Sequence, residues 1–162
     1  MAKDKDNLKE LKKNYSKIEK QYNLPTFEEL NQNFQIEKIS DVSTDYLIRE
    51  VRKFMADKFS NYLRFIETLL NPSNVPMFVF YFVKSINVDE KKKLSEAYKN
   101  LAKIEVNLIG VDIQFSEEKE AEFIKESYEI WQGIKNNILG VLNTIKINWD
   151  NQVKQNDKGY FG

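Results

Sequence analysis

The stretch TDYLIREVRKFMADKFSNYLRFIETLL, residues 44–70, decides the fold. Its apolar side chains recur every three or four positions, a spacing that places them along one face of an α-helix. The central stripe consists of Ile48, Val51, Met55, Tyr62, Ile66 and Leu69. It is widened by Leu47, Phe54, Phe59, Phe65 and Leu70. A face this wide is typical of a central helix that packs on two sides, so we predict a frame helix here.

A second long frame helix is predicted over residues 116–155. Ser116 suits the cap position, because its side-chain oxygen can accept a hydrogen bond from a free amide of the first turn. A heptad seam follows, which consists of Ala121, Ile124, Tyr128, Trp131, Ile138, Leu142, Ile145 and Trp149. Unbroken, this helix would span roughly 58 Å. Gly133 and Gly140 share one of its faces, which predicts a bend or the close approach of another helix.

The N-terminal segment, residues 4–22, carries one narrow apolar seam. The seam consists of Leu8, Leu11, Tyr15, Ile18 and Tyr22. An isolated helix of this length is barely stable, so the seam must lie on the rest of the fold or on a partner. Thr26 and Glu29 then form a capping box that begins a short helix. The connector after it has apolar anchors at Ile36, Ile39 and Val42.

The middle of the chain is less decisive. Residues 77–86 are apolar almost all round, which predicts a short buried helix or, as an alternative, a buried strand. Asn87 and Glu90 resemble another helix cap. The helix after this cap carries Leu94, Tyr98, Leu101, Ile104, Leu108 and Val111. The alternation over residues 111–115 favours a short strand near 104–115 as the alternative to a continued helix or a loop.

These segments together predict an all-α protein, a bundle of five or six helices framed by 44–70 and 116–155. We expect a single helical domain over residues 1–155, in which 1–22 is a peripheral or partner-docking helix. Residues 156–162 are expected to form a flexible tail.

The composition excludes several kinds of chemistry. The chain of 162 residues contains neither cysteine nor histidine, so it cannot form a disulfide, a thiolate nucleophile, a serine–histidine triad or an ordinary zinc site. Lysine plus arginine equals aspartate plus glutamate, 25 of each. This balance argues against nucleic acid as a partner.

The apolar runs are too short for a membrane span. The longest, VPMFVFYFV at residues 75–83, has nine residues and contains a proline, whereas a bilayer needs about 20. The N-terminal residues MAKDKDNLKELKK contain no apolar core of a signal peptide. We therefore expect a cytoplasmic protein.

All three arginines lie in the frame helix 44–70, at Arg49, Arg52 and Arg64. A guanidinium can bind a carboxylate or phosphate at two points, so the cluster marks a candidate binding site or interface ion pair. The alternative, which we favour, is pairing within the helix, of Asp45 with Arg49 and of Glu67 with Arg64.

A row of acids at Glu118, Glu122, Glu126 and Glu129 lines one helix face. Carboxylates at this spacing can bind Mg²⁺ or act in acid–base catalysis, but no matching second set is evident. We interpret the row as a solvated face, with Glu118 partly buried because it continues the apolar seam.

No catalytic, cofactor-binding or metal-binding motif is present, so we expect no cofactor and no enzyme activity. The favoured hypothesis is a helical interaction or scaffold protein whose partner is another protein or a second copy. The candidate residues are Leu8, Leu11, Tyr15, Ile18, Tyr22, Arg49, Arg52, Arg64, Trp131 and Trp149. One alternative is a bundle that binds lipid or another apolar small molecule among Phe78, Phe80, Tyr81, Phe82 and Trp131. Another is a carboxylate–metal hydrolase that uses Glu118 and Glu122.

Overall fold

The computed structural model describes residues 2–42, 44–73 and 76–159, and these residues form an all-α fold. The elements are α1 Ala2–Tyr22, α2 Phe27–Phe34, a 3₁₀ helix Ile36–Asp41, α3 Leu47–Leu70, α4 Met77–Ser85, α5 Val88–Ile113 and α6 Glu117–Gly159. The predicted all-α class is confirmed, and the described ranges contain no strand.

The two predicted frame helices are present as α3 and α6. The central stripe of α3 is buried except for Tyr62, which is partly buried, and Val51, Met55 and Ile66 are fully inaccessible to solvent. A third long helix, α5, continues through the segment for which a strand was the alternative. The strand alternative is wrong. Val111 and Ile113 would point to the same side of a strand, whereas Val111 is buried and Ile113 is exposed.

Contacts divide the chain into two compact units. The first unit joins the segment that ends at Ser60 to Lys103–Trp131, and the second joins Asn61–Ala102 to the segment that begins at Gln132. Each unit buries its own apolar residues. Buried residues of the first unit include Leu30, Phe34, Met55 and Phe59, and those of the second include Ile66, Leu69, Leu94 and Val141. A single domain over residues 1–155 stays a prediction.

The predicted C-terminal tail begins inside α6. The backbone of α6 remains helical through Gly159, so residues 156–159 belong to this helix. Residues 160–162 lie outside the described residues.

Helix α1 packs inside the first unit, against α2 and the 3₁₀ helix. Tyr15 is fully buried, and its hydroxyl donates a hydrogen bond of 2.6 Å to the carbonyl oxygen of Pro25. The ring of Tyr15 also meets the ring of Phe27 edge-on, with 5.6 Å between the centroids. The pKa of the Tyr15 hydroxyl is raised, and burial is the largest cause of this shift. The apolar seam therefore lies on the fold itself.

The end of α1 is tied to the start of α6. The Tyr22 hydroxyl donates a hydrogen bond of 2.7 Å to Oε2 of Glu117. This hydrogen bond raises the pKa of Tyr22 to about 12, because the phenol must keep its proton in order to donate. Val42, which we expected to anchor the connector, is exposed instead, and only Ile36 and Ile39 of the three anchors are buried.

The predicted helix caps are present. Thr26 Oγ1 accepts from the amide of Glu29, and the Glu29 carboxylate accepts from the amide of Thr26 at 2.8 Å. Asn87 and Glu90 exchange the same pair of hydrogen bonds, each of 2.9 Å. Ser116 Oγ accepts from the amide of Lys119 at 3.2 Å. These side chains satisfy amides that would otherwise lack partners in the first turns.

The glycines of α6 do not mark the close approach of another helix. A Cβ built at Gly133 or Gly140 meets no atom within 4 Å in the described part of the chain, other than atoms of the adjacent residues and of the backbone of its own helix. Both positions are exposed, and α6 runs through them as one helix. The prediction of a close neighbour at these glycines is wrong because their face of α6 points away from the buried seam.

We expect Gly133→Ala and Gly140→Ala each to raise the free energy of unfolding by about 0.5–1 kcal/mol. Alanine restricts the unfolded chain more than glycine does, and its methyl group meets no neighbour here. Urea unfolding followed by circular dichroism measures the change. Val141→Ala, at a buried position of the same helix, should destabilise the protein and serves as the control. A loss of stability in either glycine variant would contradict the open environment of these positions.

Candidate interaction surface

An open groove of about 500 Å³ lies between the C-terminal half of α5 and the first turns of α6, inside the first unit. Its walls include Val106, Gly110, Ile113, Glu122, Phe123 and Glu126. The first three belong to α5 and the last three to α6. The groove is therefore formed by two consecutive helices that turn back at residues 114–116.

Helix α5 has a second apolar face, which borders this groove. Val106, Ile109 and Ile113 are 68%, 59% and 75% exposed. Their spacing of three and four positions places them side by side on the helix surface. The predicted stripe lies on the opposite side, where Leu101, Ile104 and Val111 are buried. This second face was not predicted from the sequence, although its residues recur at helical spacing.

Gly110 lies in the centre of the exposed face. A Cβ at this position meets no atom within 4 Å among the described residues, so the space above the backbone is open. Glycine inside a helix is less favourable than alanine by about 1 kcal/mol. Gly110 thus leaves a smooth depression between the side chains of Val106 and Ile113, where a neighbouring chain can approach closely.

The α6 wall of the groove is acidic. Glu122 and Glu126 are exposed and stand one helical turn apart. Within the described residues, neither of them belongs to an ion pair. Lys119 stands at the same wall, one turn before Glu122, and donates a hydrogen bond to Oε1 of Gln114. The groove therefore combines apolar walls with two carboxylates that are free to meet a partner.

The whole predicted acidic row is exposed, which confirms its interpretation as a solvated face. Glu118 is exposed like Glu122, Glu126 and Glu129, so its predicted partial burial is wrong. The acid of this segment that is buried is Glu120, which is fully inaccessible to solvent. We did not single out Glu120, although the buried residues Phe123, Ile124 and Ser127 follow it at steps of three, four and seven and mark the same face.

Glu120 binds Arg52 in a buried ion pair. Nε of Arg52 donates to Oε2 of Glu120 at 2.6 Å, and Nη2 donates to Oε1 at 3.3 Å. Nη2 also lies 2.9 Å from Oδ1 of Asp112. Burial of the Arg52 guanidinium opposes its charge, but Glu120 and Asp112 outweigh this and raise the pKa of Arg52 above its ordinary value. Arg52 thus connects α3 to α6 through Glu120 and to α5 through Asp112.

Arg49 also faces Glu120, with 3.6 Å between Nε and Oε1. Its guanidinium lies over the Phe115 ring, 3.8 Å from the centroid, which is a cation–π contact. Our expectation that Asp45 pairs with Arg49 is therefore wrong: Arg49 turns towards α6. Arg64 is exposed and lies apart from this cluster in sequence, in the second unit. The structure thus brings two of the three arginines together.

Both tryptophans pack against aromatic rings. Trp131 meets Phe34 and Phe59, with centroids at 6.1 and 6.0 Å, and its Nε1 donates to Oδ1 of Asn33 at 2.9 Å. Trp149 is partly exposed and meets Tyr81 and Phe82, with centroids at 6.3 and 5.4 Å.

The candidate lipid site can be described only in part. Phe80 is exposed, while Tyr81 and Phe82 lie against Trp149. The side chain of Phe78 lies outside the described residues.

The α1 seam has no fully free surface. Leu11 and Tyr15 are buried, and Leu8, Ile18 and Tyr22 are partly buried. A polar pocket of about 360 Å³ borders this helix, lined by Asn7, Glu10, Asn14, Ser40, Asp41 and Thr44 among others. In the ranges that the structure describes, no three acidic side chains are grouped so that they could hold a metal ion.

In the described part of the chain, no helix combines the length and the apolar character that crossing a membrane requires. In comparisons with known proteins, no family model, curated protein or solved structure matches the chain. The class that the fold defines is an all-α helical bundle.

Proposed function

We propose that this chain is a non-enzymatic, cytoplasmic interaction protein that binds a segment of another protein chain in the α5–α6 groove. The observation that carries the proposal is the exposed apolar face at Val106, Ile109 and Ile113. Contiguous apolar surface next to a groove is typical of a protein–protein interaction site.

Burial of this face would contribute substantially to binding. Burying a side chain of this size contributes about 1.5–3 kcal/mol relative to leaving it in water. The three side chains together therefore offer several kcal/mol, before the cost of ordering the partner. The α1 seam offers less, because Leu11 and Tyr15 already stabilise the first unit. The proposed binding surface therefore lies on α5 and α6.

A peptide selection tests the proposal. A library of random helical peptides is displayed on phage and selected against the full chain, and the selected peptides are titrated against variants. We expect Ile113→Asp to weaken their binding at least about tenfold, because the lost burial is worth about 1.5–3 kcal/mol.

The matched control is Ile147→Asp, which changes an isoleucine of α6 in the second unit that is 60% exposed. It should alter the affinity by less than about twofold. Sedimentation velocity over a range of concentrations measures self-association of the same proteins. If no selected peptide is sensitive to Ile113→Asp and the chain is a monomer throughout, the proposal is wrong.

A further inference from the structure

We infer that the groove takes a basic amphipathic α-helix of another protein, whose apolar face fills the groove while its lysines or arginines pair with Glu122 and Glu126. The inference rests on the proposed function and names the chemistry of the partner. Three observations support it: the sign of the charge in the groove, the shape of the groove, and the repulsion between carboxylates that a second copy would meet there.

Charge is distributed unequally between the two walls. The α6 wall carries the exposed carboxylates Glu122 and Glu126, whereas Asn107 and Gln114 on the α5 side are uncharged. Among the described residues of the lining, Lys119 is the one cation, and it lies beyond Glu122, one turn nearer the start of α6. A partner with cations one turn apart can therefore pair with both carboxylates. A partner with acids there would meet like charge beside an apolar surface, which is unfavourable.

The shape of the groove fits a helix. Val106, Gly110 and Ile113 stand at positions i, i+4 and i+7 of α5, so they form a ridge with a gap at the glycine. Large side chains of a third helix can enter such a gap, and helix axes in close packing approach to about 8–10 Å. Phe123 closes the bottom of the groove from α6. An amphipathic helix in an apolar groove is a common mode of peptide recognition.

A second copy of this chain is a poor occupant. Two-fold pairing of groove against groove would place Glu122 and Glu126 of both copies in one interface, where four carboxylates repel one another. Helix α1 of this chain is basic and carries an apolar seam, but the central seam residues Leu11 and Tyr15 are buried in the same chain. The groove and the α1 seam therefore do not complement each other between copies, and we assign the groove to a different protein.

The test uses a second phage library against the full chain. Its helical peptides keep apolar residues on one face and vary the flanking positions among lysine, glutamine and glutamate. We expect selection to enrich lysine at flanking positions one turn apart. Synthetic peptides with lysine there should bind about five- to tenfold more tightly than the matched glutamate peptides at low salt, and less so at high salt.

Charge reversal locates the effect. In the variant that combines Glu122→Lys and Glu126→Lys, the lysine peptides should lose about tenfold in affinity and the glutamate peptides should gain. The matched control is Glu129→Lys, which changes an exposed acid of the same row outside the groove lining. It should leave the preference unchanged.

Gly110→Ala tests the shape. Outside its own helix the methyl group meets no atom of the described residues within 4 Å, so folding should be unimpaired, but it fills the gap that the partner helix needs. We expect the lysine peptides to bind about fivefold more weakly, whereas Gly133→Ala should leave their affinity unchanged.

The outcomes separate this inference from the proposed function. Peptides that depend on Ile113 but show no preference for lysine, or prefer glutamate, would overturn the inference and leave the proposed function intact. If the chain self-associates and Ile113→Asp abolishes this self-association, the occupant of the groove is a second copy. This result would also overturn the inference and leave the proposed function intact. If Gly110→Ala leaves the affinity of the peptides unchanged, no helix packs closely against Gly110, and the inference is wrong. Only the absence of any binding that depends on Ile113, in peptides and in self-association, would overturn both.

Discussion

Replacing Glu120 by glutamine is expected to lower the free energy of unfolding by about 3–5 kcal/mol, the cost of leaving a buried charge without its partner. Arg52 keeps its positive charge at neutral pH and stays buried, while the neutral amide offers only one acceptor atom in place of two. Asp112 can compensate only in part, because it is exposed to water and lies beside Nη2, whereas Nε of Arg52 loses the carboxylate oxygen to which it donates at 2.6 Å.

The control for this prediction is Glu122→Gln, the same chemical change at an exposed position two residues away. It should cost less than about 0.5 kcal/mol. Urea unfolding followed by circular dichroism compares the two variants. Equal costs would mean that the Arg52–Glu120 pair does not hold its buried geometry in solution.

A double-variant cycle distinguishes loss of the pair from loss of packing. Arg52→Met and Glu120→Leu should each destabilise the protein strongly when introduced alone. Together they should cost much less than the sum of the two, because neither Arg52 nor Glu120 is then left as a buried charge without the other. An additive result would show that the two side chains do not act as a pair.

The two acids that Arg52 binds lie next to residues of the groove in the sequence. Asp112 precedes the groove residue Ile113 on α5, and Glu120 precedes the groove residues Glu122 and Phe123 on α6. Arg52 on α3 binds both acids, so it fixes the end of α5 and the start of α6 with respect to α3. A groove whose walls are held in this way loses less conformational entropy when a partner binds. Glu120 is thus a candidate positioning residue for the surface, without touching the partner.

Much of the fold follows from the sequence because it depends on repeated signals. The presence of α3 and α6 follows from apolar periodicity over many turns, and the caps at Thr26 and Ser116 follow from a few side-chain types at fixed offsets. Each such signal is local, so neighbouring helices do not change its meaning. Val42 shows the opposite case, because an isolated apolar residue in a connector carries no period and its burial depends on distant segments.

The candidate surface was harder to predict for two physical reasons. Apolar residues at helical spacing indicate a face but not whether another helix of the same chain covers it, so Val106 and Ile109 could not be recognised as exposed. The partner of an arginine is equally ambiguous, because Asp45 lies four residues before Arg49 and would be within reach if the helix began at residue 44, while Glu120 is distant in sequence. Only the packing of α3 against α6 decides between the two acids.

Phe59→Ala is expected to lower the free energy of unfolding by about 3–5 kcal/mol, the usual cost of removing a buried aromatic ring. Phe59 is fully buried, and its ring meets those of Phe34 and Trp131 edge-on, with centroids at 5.2 and 6.0 Å. The cavity cannot close easily, because Trp131 is held by its hydrogen bond to Asn33 and Phe34 is itself fully buried. Urea unfolding followed by circular dichroism measures the loss.

Phe65→Ala provides the matched control, since Phe65 belongs to the same helix but is 41% exposed. Its removal should cost about 1 kcal/mol, because fewer neighbours lose contact and water fills the space. Tryptophan fluorescence adds a second reading: Phe59→Ala should shift the emission of the folded protein, because the ring of Trp131 loses a neighbour, whereas Phe65→Ala should not. If both variants lost equal stability and left the emission unchanged, the ring cluster around Phe59 would not be the core of the first unit.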